Sequence, residues 1–336
     1  MTELSFAANS LSELQYNDEV WIGDTPYFVR QFRRGGMGLV VFLRRDDERA
    51  PFSTRALLHG PNVAIKTALR SDDDLSTSDL FQRELTVWAG LDHPNIIRLN
   101  EVLTTRSDGM VAAMDWCMGS LRQLLDDHMS VSLEDALFII RDLVNGLHFA
   151  FKEHGVLHLD LKPENILNQY VLSRMSSNED DPVRQFAWKV SDWGLASIKN
   201  AALANLTSMP AKNNEFVTLN NLGTVSYMAP ERFVYGTRSS VGSDLFAVGL
   251  VLYEMLIGGL PYQANSSVIE QICSHSYFSV AKMMLSQERV PKLMAEIILH
   301  LITPNPNERC SSYPELLKRL EQVQRPRSLL SRLFKS

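Results

Sequence analysis

The stretch His158-Leu159-Asp160-Leu161-Lys162-Pro163-Glu164-Asn165-Ile166-Leu167 sets an aspartate, a lysine and an asparagine at spacings of two and three. Side chains so spaced can converge on one phosphate. Asp160 can orient and deprotonate a hydroxyl. Lys162 can neutralise charge on a transferring phosphoryl group, and the Asn165 oxygen can hold Mg²⁺, which prefers hard oxygen ligands. Asp192-Trp193-Gly194 offers a second such oxygen, with a glycine hinge beside it. Upstream, Lys66 ends the apolar run Val63-Ala64-Ile65. A buried ammonium needs a partner. Glu84 can supply it, from a segment where Phe81, Leu85 and Trp88 recur at helical spacing. Arg33-Arg34-Gly35-Gly36-Met37-Gly38-Leu39-Val40 puts a glycine cluster between two strand-like runs, where backbone N–H groups can approach phosphate oxygens. Taken singly, the glycine cluster is more often a hairpin turn and the lysine an exposed strand end. The 158–167 stretch tips the balance.

These residues need elements to position them. Val20-Trp21-Ile22 and Tyr27-Phe28-Val29 flank a Gly-Asp pair and read as a hairpin. Strands are expected at 39–43, 63–65 and 110–114, a long loop at 44–61, and a helix around 81–88. After Gly119 the pattern changes. Ser132, with Asp135 three residues on, is a candidate N-cap. Behind it Leu133, Leu137, Ile140, Val144, Leu147 and Phe151 form a wide apolar helical stripe. Helices are also expected at 243–258, 290–302 and 313–323. A strand-rich part followed by a helical part implies two lobes. The first 20 residues read as a loosely held extension, and Ser176–Pro182 as an acidic surface insertion.

The net charge of −6 gives no bulk basic field to attract nucleic acid. Cys117, Cys273 and Cys310 are far apart, without a disulfide or zinc pattern, and suit a reducing compartment. Met-Thr-Glu-Leu-Ser lacks the features of a signal peptide. The apolar run Leu245 to Leu260 is shorter than a membrane span and contains Glu254. A cytosolic, soluble protein is expected.

The ordered set of glycine loop, Val-Ala-Ile-Lys, helix Glu, His-x-Asp-Leu-Lys-Pro-Glu-Asn, Asp-x-Gly and Met-Ala-Pro-Glu resembles the protein kinase family over most of the chain. The resemblance implies an α+β bilobal fold, with a five-stranded antiparallel small lobe at about 21–115 and a helical large lobe at about 118–323. It sets 1–20 aside as an extension and 324–336 as a basic amphipathic tail. It implies ATP and Mg²⁺ as cofactors in the cleft, and serine or threonine hydroxyls of proteins as acceptors. Lys66 would bind the α/β-phosphates and pair with Glu84, Asp160 would be the base, Lys162 would meet the γ-phosphate, and Asn165 and Asp192 would hold the metal. Phe32, Gly35, Gly36, Gly38 and Val40 would cover the nucleotide. Ala64 and Leu167 would sandwich adenine, with Met114 as gatekeeper and Asp115 and Cys117 as hinge. Asp244 would anchor the catalytic loop, and Arg309 would pair with Glu231.

Arg33, Leu159 and Trp193 depart from the family pattern, but none removes a phosphate, metal or proton-handling group. Leu159 stands where the family usually has an arginine that helps capture a phosphate on the activation segment. Activity independent of such phosphorylation is therefore expected. A scaffold that keeps the fold without transfer, and a kinase of small molecules, are the competing readings. Retention of Lys66, Glu84, Asp160, Asn165 and Asp192 argues against the first, and Met228-Ala229-Pro230-Glu231 against the second. Leu329, Leu330, Leu333 and Phe334 beside four basic residues would allow a membrane contact through the tail.

Overall fold

The computed structural model describes residues 2–35, 38–46, 60–67, 75–127, 130–170, 183–194, 197–198, 225–234, 237–264 and 266–324 of the 336-residue chain. Gly36, the 176–182 insertion and the 325–336 tail lie outside these residues. The architecture is α+β, a strand-rich part followed by a helical one. It divides into two compact units: Met1–Met118 with Asp192–Ala196, and Gly119–Ser191 with Ser197–Ser336.

The first unit holds β1 (Thr2–Phe6), β2 (Glu19–Ile22), β3 (Thr25–Gly35), β4 (Gly38–Arg45), β5 (Asn62–Thr67), helix α1 (Leu75–Trp88), β6 (Leu99–Thr105) and β7 (Gly109–Asp115). The strands pair in the order β1-β2-β3-β4-β5-β7-β6. All these neighbours are antiparallel, while β1 also pairs in parallel with β6. The expected β2–β3 hairpin is present, with Ile22 opposite Thr25 and Gly23 at φ 60° in the two-residue turn.

The sheet therefore has two strands more than the five expected. One of them comes from the segment expected to be loose. Leu4, Leu11 and Leu14 are buried with Val29, Val41, Leu43, Val63, Ile65 and Val111 in the core of this unit. Polar bonds reinforce the packing: Leu11 N–H donates to Asp108 Oδ2 at 3.1 Å, and Gly23 N–H to Glu3 O at 3.1 Å. The segment reads as loose because its three inward leucines are few and far apart among polar residues.

The second unit contains β8 (Gly119–Ser120), α2 (Leu121–Asp127), α3 (Leu133–His154), β9 (Val156–Leu157), β10 (Ile166–Tyr170), β11 (Phe186–Val190) and β12 (Ser197–Ile198). There follow α4 (Val241–Ile257), α5 (Val268–Cys273), α6 (Ser276–Gln287), α7 (Lys292–Leu301) and α8 (Tyr313–Gln324). The Ser132 cap is formed, its hydroxyl accepting from Asp135 N–H at 3.1 Å. Helix α4 is buried from Val241 to Met255, which explains its near-continuous apolar sequence. Gly249 lets it approach α7 closely, since a Cβ there would lie 2.7 Å from the Leu301 and Ile302 side chains. Among the described residues no helix is long and apolar enough to cross a membrane.

Candidate active site

In the first unit, strand register sorts the side chains by face. Directly opposed residues share a face, and successive residues alternate. Val41 opposes Ile65, which opposes Ala113, and these belong to the core. The intervening pairs Val40–Lys66, Phe42–Ala64 and Ala64–Met114 occupy the other face. Val40, Ala64, Lys66 and Met114 are thus brought together as expected. Phe32 is not: it opposes Val41 and packs against the core. Of the hinge candidates, Asp115 ends β7, its N–H donating to Arg98 O at 3.3 Å, and Cys117 follows it and is buried.

Lys66 Nζ lies 2.5 Å from Glu84 Oε1 on α1 and 3.0 Å from Asp192 Oδ1. Lys66 and Glu84 are buried. Burial alone would lower the Lys66 pKa, but the charges of Asp192 and Glu84 outweigh it and hold the ammonium above its ordinary value. Burial pushes the Glu84 carboxyl up, opposed by the Lys66 charge. Asp192 adopts φ 65°, the left-handed region, next to the fully buried Trp193.

In the second unit, the 158–165 loop is held largely through its backbone. His158 N–H and Leu159 N–H donate to Asp244 Oδ2 and Oδ1 at 2.9 and 2.8 Å, and the Tyr313 hydroxyl donates to Oδ2 at 3.1 Å. Burial, then the Asp244 charge, pushes the Tyr313 hydroxyl pKa far up, so it remains a donor. The anchoring role expected of Asp244 is met. His158 Nδ1 accepts from Asp160 N–H at 3.2 Å. That assigns the ring proton to Nε2, which donates to Ser191 O at 3.0 Å. Leu159 has φ 64°, a conformation costing an L residue about 1–2 kcal/mol.

Asp160 is buried, and its Oδ2 accepts from Lys162 Nζ at 2.9 Å and Asn165 Nδ2 at 3.2 Å. Asn165 Nδ2 also donates to Asp160 O at 2.8 Å. With two acceptors facing the amide nitrogen, the Asn165 oxygen is taken up by neither bond. The Asn165 oxygen and the Asp192 carboxylate are each, taken separately, hard donors of the kind Mg²⁺ prefers. Leu167, half-buried on β10, opposes Lys189 and Ser120.

Two supports beneath this loop differ in how far the sequence revealed them. All five N–H donors of Arg309 are satisfied: two by Glu231 at 2.8 and 3.0 Å, the rest by Thr303, Gly242 and Pro304 carbonyls. That pair was expected. The Arg122 cluster was not. Arg122 donates to Glu164 Oε1 and Glu254 Oε1, each at 2.9 Å, and to the Tyr227 hydroxyl at 2.8 Å. Tyr227 in turn donates to Glu254 Oε2 at 2.5 Å. The cluster ties the loop residue Glu164 to α2, α4 and the 225–231 segment. A buried glutamate in the apolar α4 was its one visible sign.

A model of the protein kinase domain matches residues 52–320. The chain belongs to the protein kinase family. Among curated proteins, this kinase domain is 29% identical over 298 residues to the probable serine/threonine-protein kinase PknB of Lactococcus lactis, covering 88% of this chain and 41% of that protein. It is 27% identical to the serine/threonine-protein kinase PknD of Chlamydia caviae, covering 88% of this chain and 30% of that protein. It is 28% identical over 199 residues to the serine/threonine-protein kinase atg1 of Dictyostelium discoideum, covering 58% of this chain and 26% of that protein. The chain thus spans less than half the length of these relatives.

Proposed function

We propose that this protein transfers the γ-phosphate of ATP to serine or threonine hydroxyls of proteins. The observation that carries the reading is the setting of Asp160, a buried carboxylate held by Lys162 and Asn165 beside a loop pinned to Asp244. Asp160 orients the acceptor hydroxyl and receives its proton. Lys162 offsets negative charge on the phosphoryl group in flight. Lys66, kept cationic by two carboxylates, binds the α/β-phosphates. Asn165 and Asp192 would hold Mg²⁺, which would supply positive charge against the triphosphate. Catalysis on this reading is positioning plus electrostatic stabilisation, with no covalent enzyme intermediate. Relatives named serine/threonine-protein kinases support the choice of acceptor.

The test is transfer of labelled phosphate from ATP with Mg²⁺ to a generic basic protein, with phosphoamino-acid analysis of the product. Asp160→Asn should lower the rate by about 10²–10⁴-fold, the usual weight of a general base, while nucleotide binding persists. Wild-type turnover by this variant would refute the mechanism.

A further inference from the structure

The strained Leu159 peptide is gripped from two sides. Its N–H donates to Asp244 Oδ1 at 2.8 Å. Its carbonyl accepts from Arg232 Nη1, a guanidinium 73 residues further along the chain. Leu159 itself brings no polar side chain to this place, and the next residue is Asp160. A left-handed leucine persists only where its surroundings over-determine it. Asp244 supplies one half of that constraint, and Arg232 supplies the other.

We propose that Arg232 is a positioning residue for Asp160, fixing the Leu159 carbonyl so that the following carboxylate is aimed at the acceptor hydroxyl. The inference deepens the kinase reading and rests on it. Arg232 and Asp160 line one small pocket together with Tyr227, Ser243 and Asp244. Burial pushes the Arg232 guanidinium down, while the carboxylates of Asp244, Asp160 and Glu231 oppose that. Burial is the larger of these effects and leaves the guanidinium below its ordinary value. Arg232 also follows Glu231, whose carboxylate is locked by Arg309 and by the Ser243 hydroxyl at 2.8 Å. The backbone that delivers the guanidinium is therefore fixed, as a positioning group requires.

The experiment compares full-length wild-type, Arg232→Met and Arg232→Lys for kcat, KM for ATP, KM for a generic basic protein, affinity for ATP with Mg²⁺, and melting temperature. Arg232→Met should lose about 10²-fold in kcat, the effect of a misaimed catalytic group, with both KM values and nucleotide affinity within about twofold. Arg232→Lys keeps a charged donor and should recover most of that loss. Wild-type kcat in Arg232→Met, or a fall in nucleotide affinity and melting temperature as large as the fall in kcat, overturns the proposal. Where Arg232→Met fails to fold, Arg232→Gln, which loses the charge and the reach of the guanidinium, decides. A kcat lowered about threefold or more at unchanged KM supports the proposal, and an unchanged kcat overturns it. A wild-type protein that binds nucleotide and transfers nothing overturns the kinase reading, and this inference with it. A wild-type protein that transfers phosphate, matched by Arg232→Met, overturns this inference alone.

Discussion

The two units hold their functional groups by different means. In the first, regular strands do the sorting. Alternation along β5 puts Ala64 and Lys66 on one face and Ile65 on the other, and α1 brings Glu84 to the ammonium. The decisive contacts are between side chains. In the second, Asp160 sits on irregular backbone, and the groups that hold it act on peptide N–H and carbonyl groups: Asp244, Arg232 and the His158 ring. The first arrangement is sensitive to charge balance, the second to shape. Loss of a partner in the first strands a buried charge. Loss of a partner in the second frees a peptide to relax.

Lys66→Met breaks the first arrangement and should have the larger effect. Transfer should fall by about 10²–10³-fold or more, the range for removing a preorganised electrostatic group. Stability should fall too, because the buried Glu84 would lose the ammonium it pairs with. Breaking a buried ion pair typically costs about 3–5 kcal/mol. Adding Glu84→Gln should restore much of the melting temperature and none of the transfer. If the double variant melts no higher than Lys66→Met, charge balance is not what this cluster demands.

Asp244→Asn probes the second arrangement. An amide has one acceptor oxygen, whereas Asp244 receives His158 N–H and Leu159 N–H on separate oxygens and Tyr313 on one of them. One peptide N–H must lose its partner. A drop of about 10²-fold in kcat is expected, with nucleotide affinity little changed. Equal losses in both would erase the distinction between the two units.

The sequence revealed the first arrangement well and the second only in part. Lys66 and Glu84 are legible because period two and period 3.6 put them on a strand and a helix, and the 158–167 stretch tips the reading of the pair. Asp160, Lys162 and Asn165 are legible as a motif, through their spacing and through resemblance. The clamp on Leu159 is legible only in its Asp244 half, and that through resemblance, because Arg232 reaches the loop from 73 residues away with no motif to mark it. Nothing local marks Arg232 as an inward residue beside the exposed Val234. Phe32 shows the opposite failure. Motif position assigned it to the nucleotide, while register turns it to the core. The strand at 2–6 was missed because Leu4 and Phe6 alternate over too few residues to stand out.

Glu231 offers a smaller test through pH. Burial raises its pKa, but the bonds from Arg309 outweigh that and hold it below the ordinary carboxylate range. A depressed carboxylate adds stability above its unfolded pKa, about 4.3, and loses it as pH falls through the folded value. Wild-type should therefore exceed Glu231→Gln in melting temperature at neutral pH, with the gap closing below about pH 4. A gap constant with pH would show that the pair contributes shape and not charge.

The smallest expected effect concerns phosphorylation, and it follows from how the second unit holds its loop. In the family an arginine before the catalytic aspartate helps to capture an activation-segment phosphate. Leu159 offers neither charge nor donor. The guanidinium that does reach this peptide, Arg232, is committed to the Leu159 carbonyl and faces three carboxylates, Asp244, Asp160 and Glu231. A phosphate brings close to two negative charges and orders a segment chiefly by pairing with arginine. Entering here, it would meet those carboxylates and compete for a cation already in use. Thr207, Ser208 and Thr218, which lie outside the described residues, are therefore expected to be dispensable as phosphorylation sites. Their joint replacement by alanine should leave kcat within about threefold of wild-type, and phosphatase treatment checked by mass spectrometry should do the same. A loss of about a hundredfold, or roughly 3 kcal/mol in the barrier, would mean that Arg232 releases Leu159 to bind a phosphate. The clamp would then be a switch, and Arg232→Met with the triple alanine variant would lose no more than either alone.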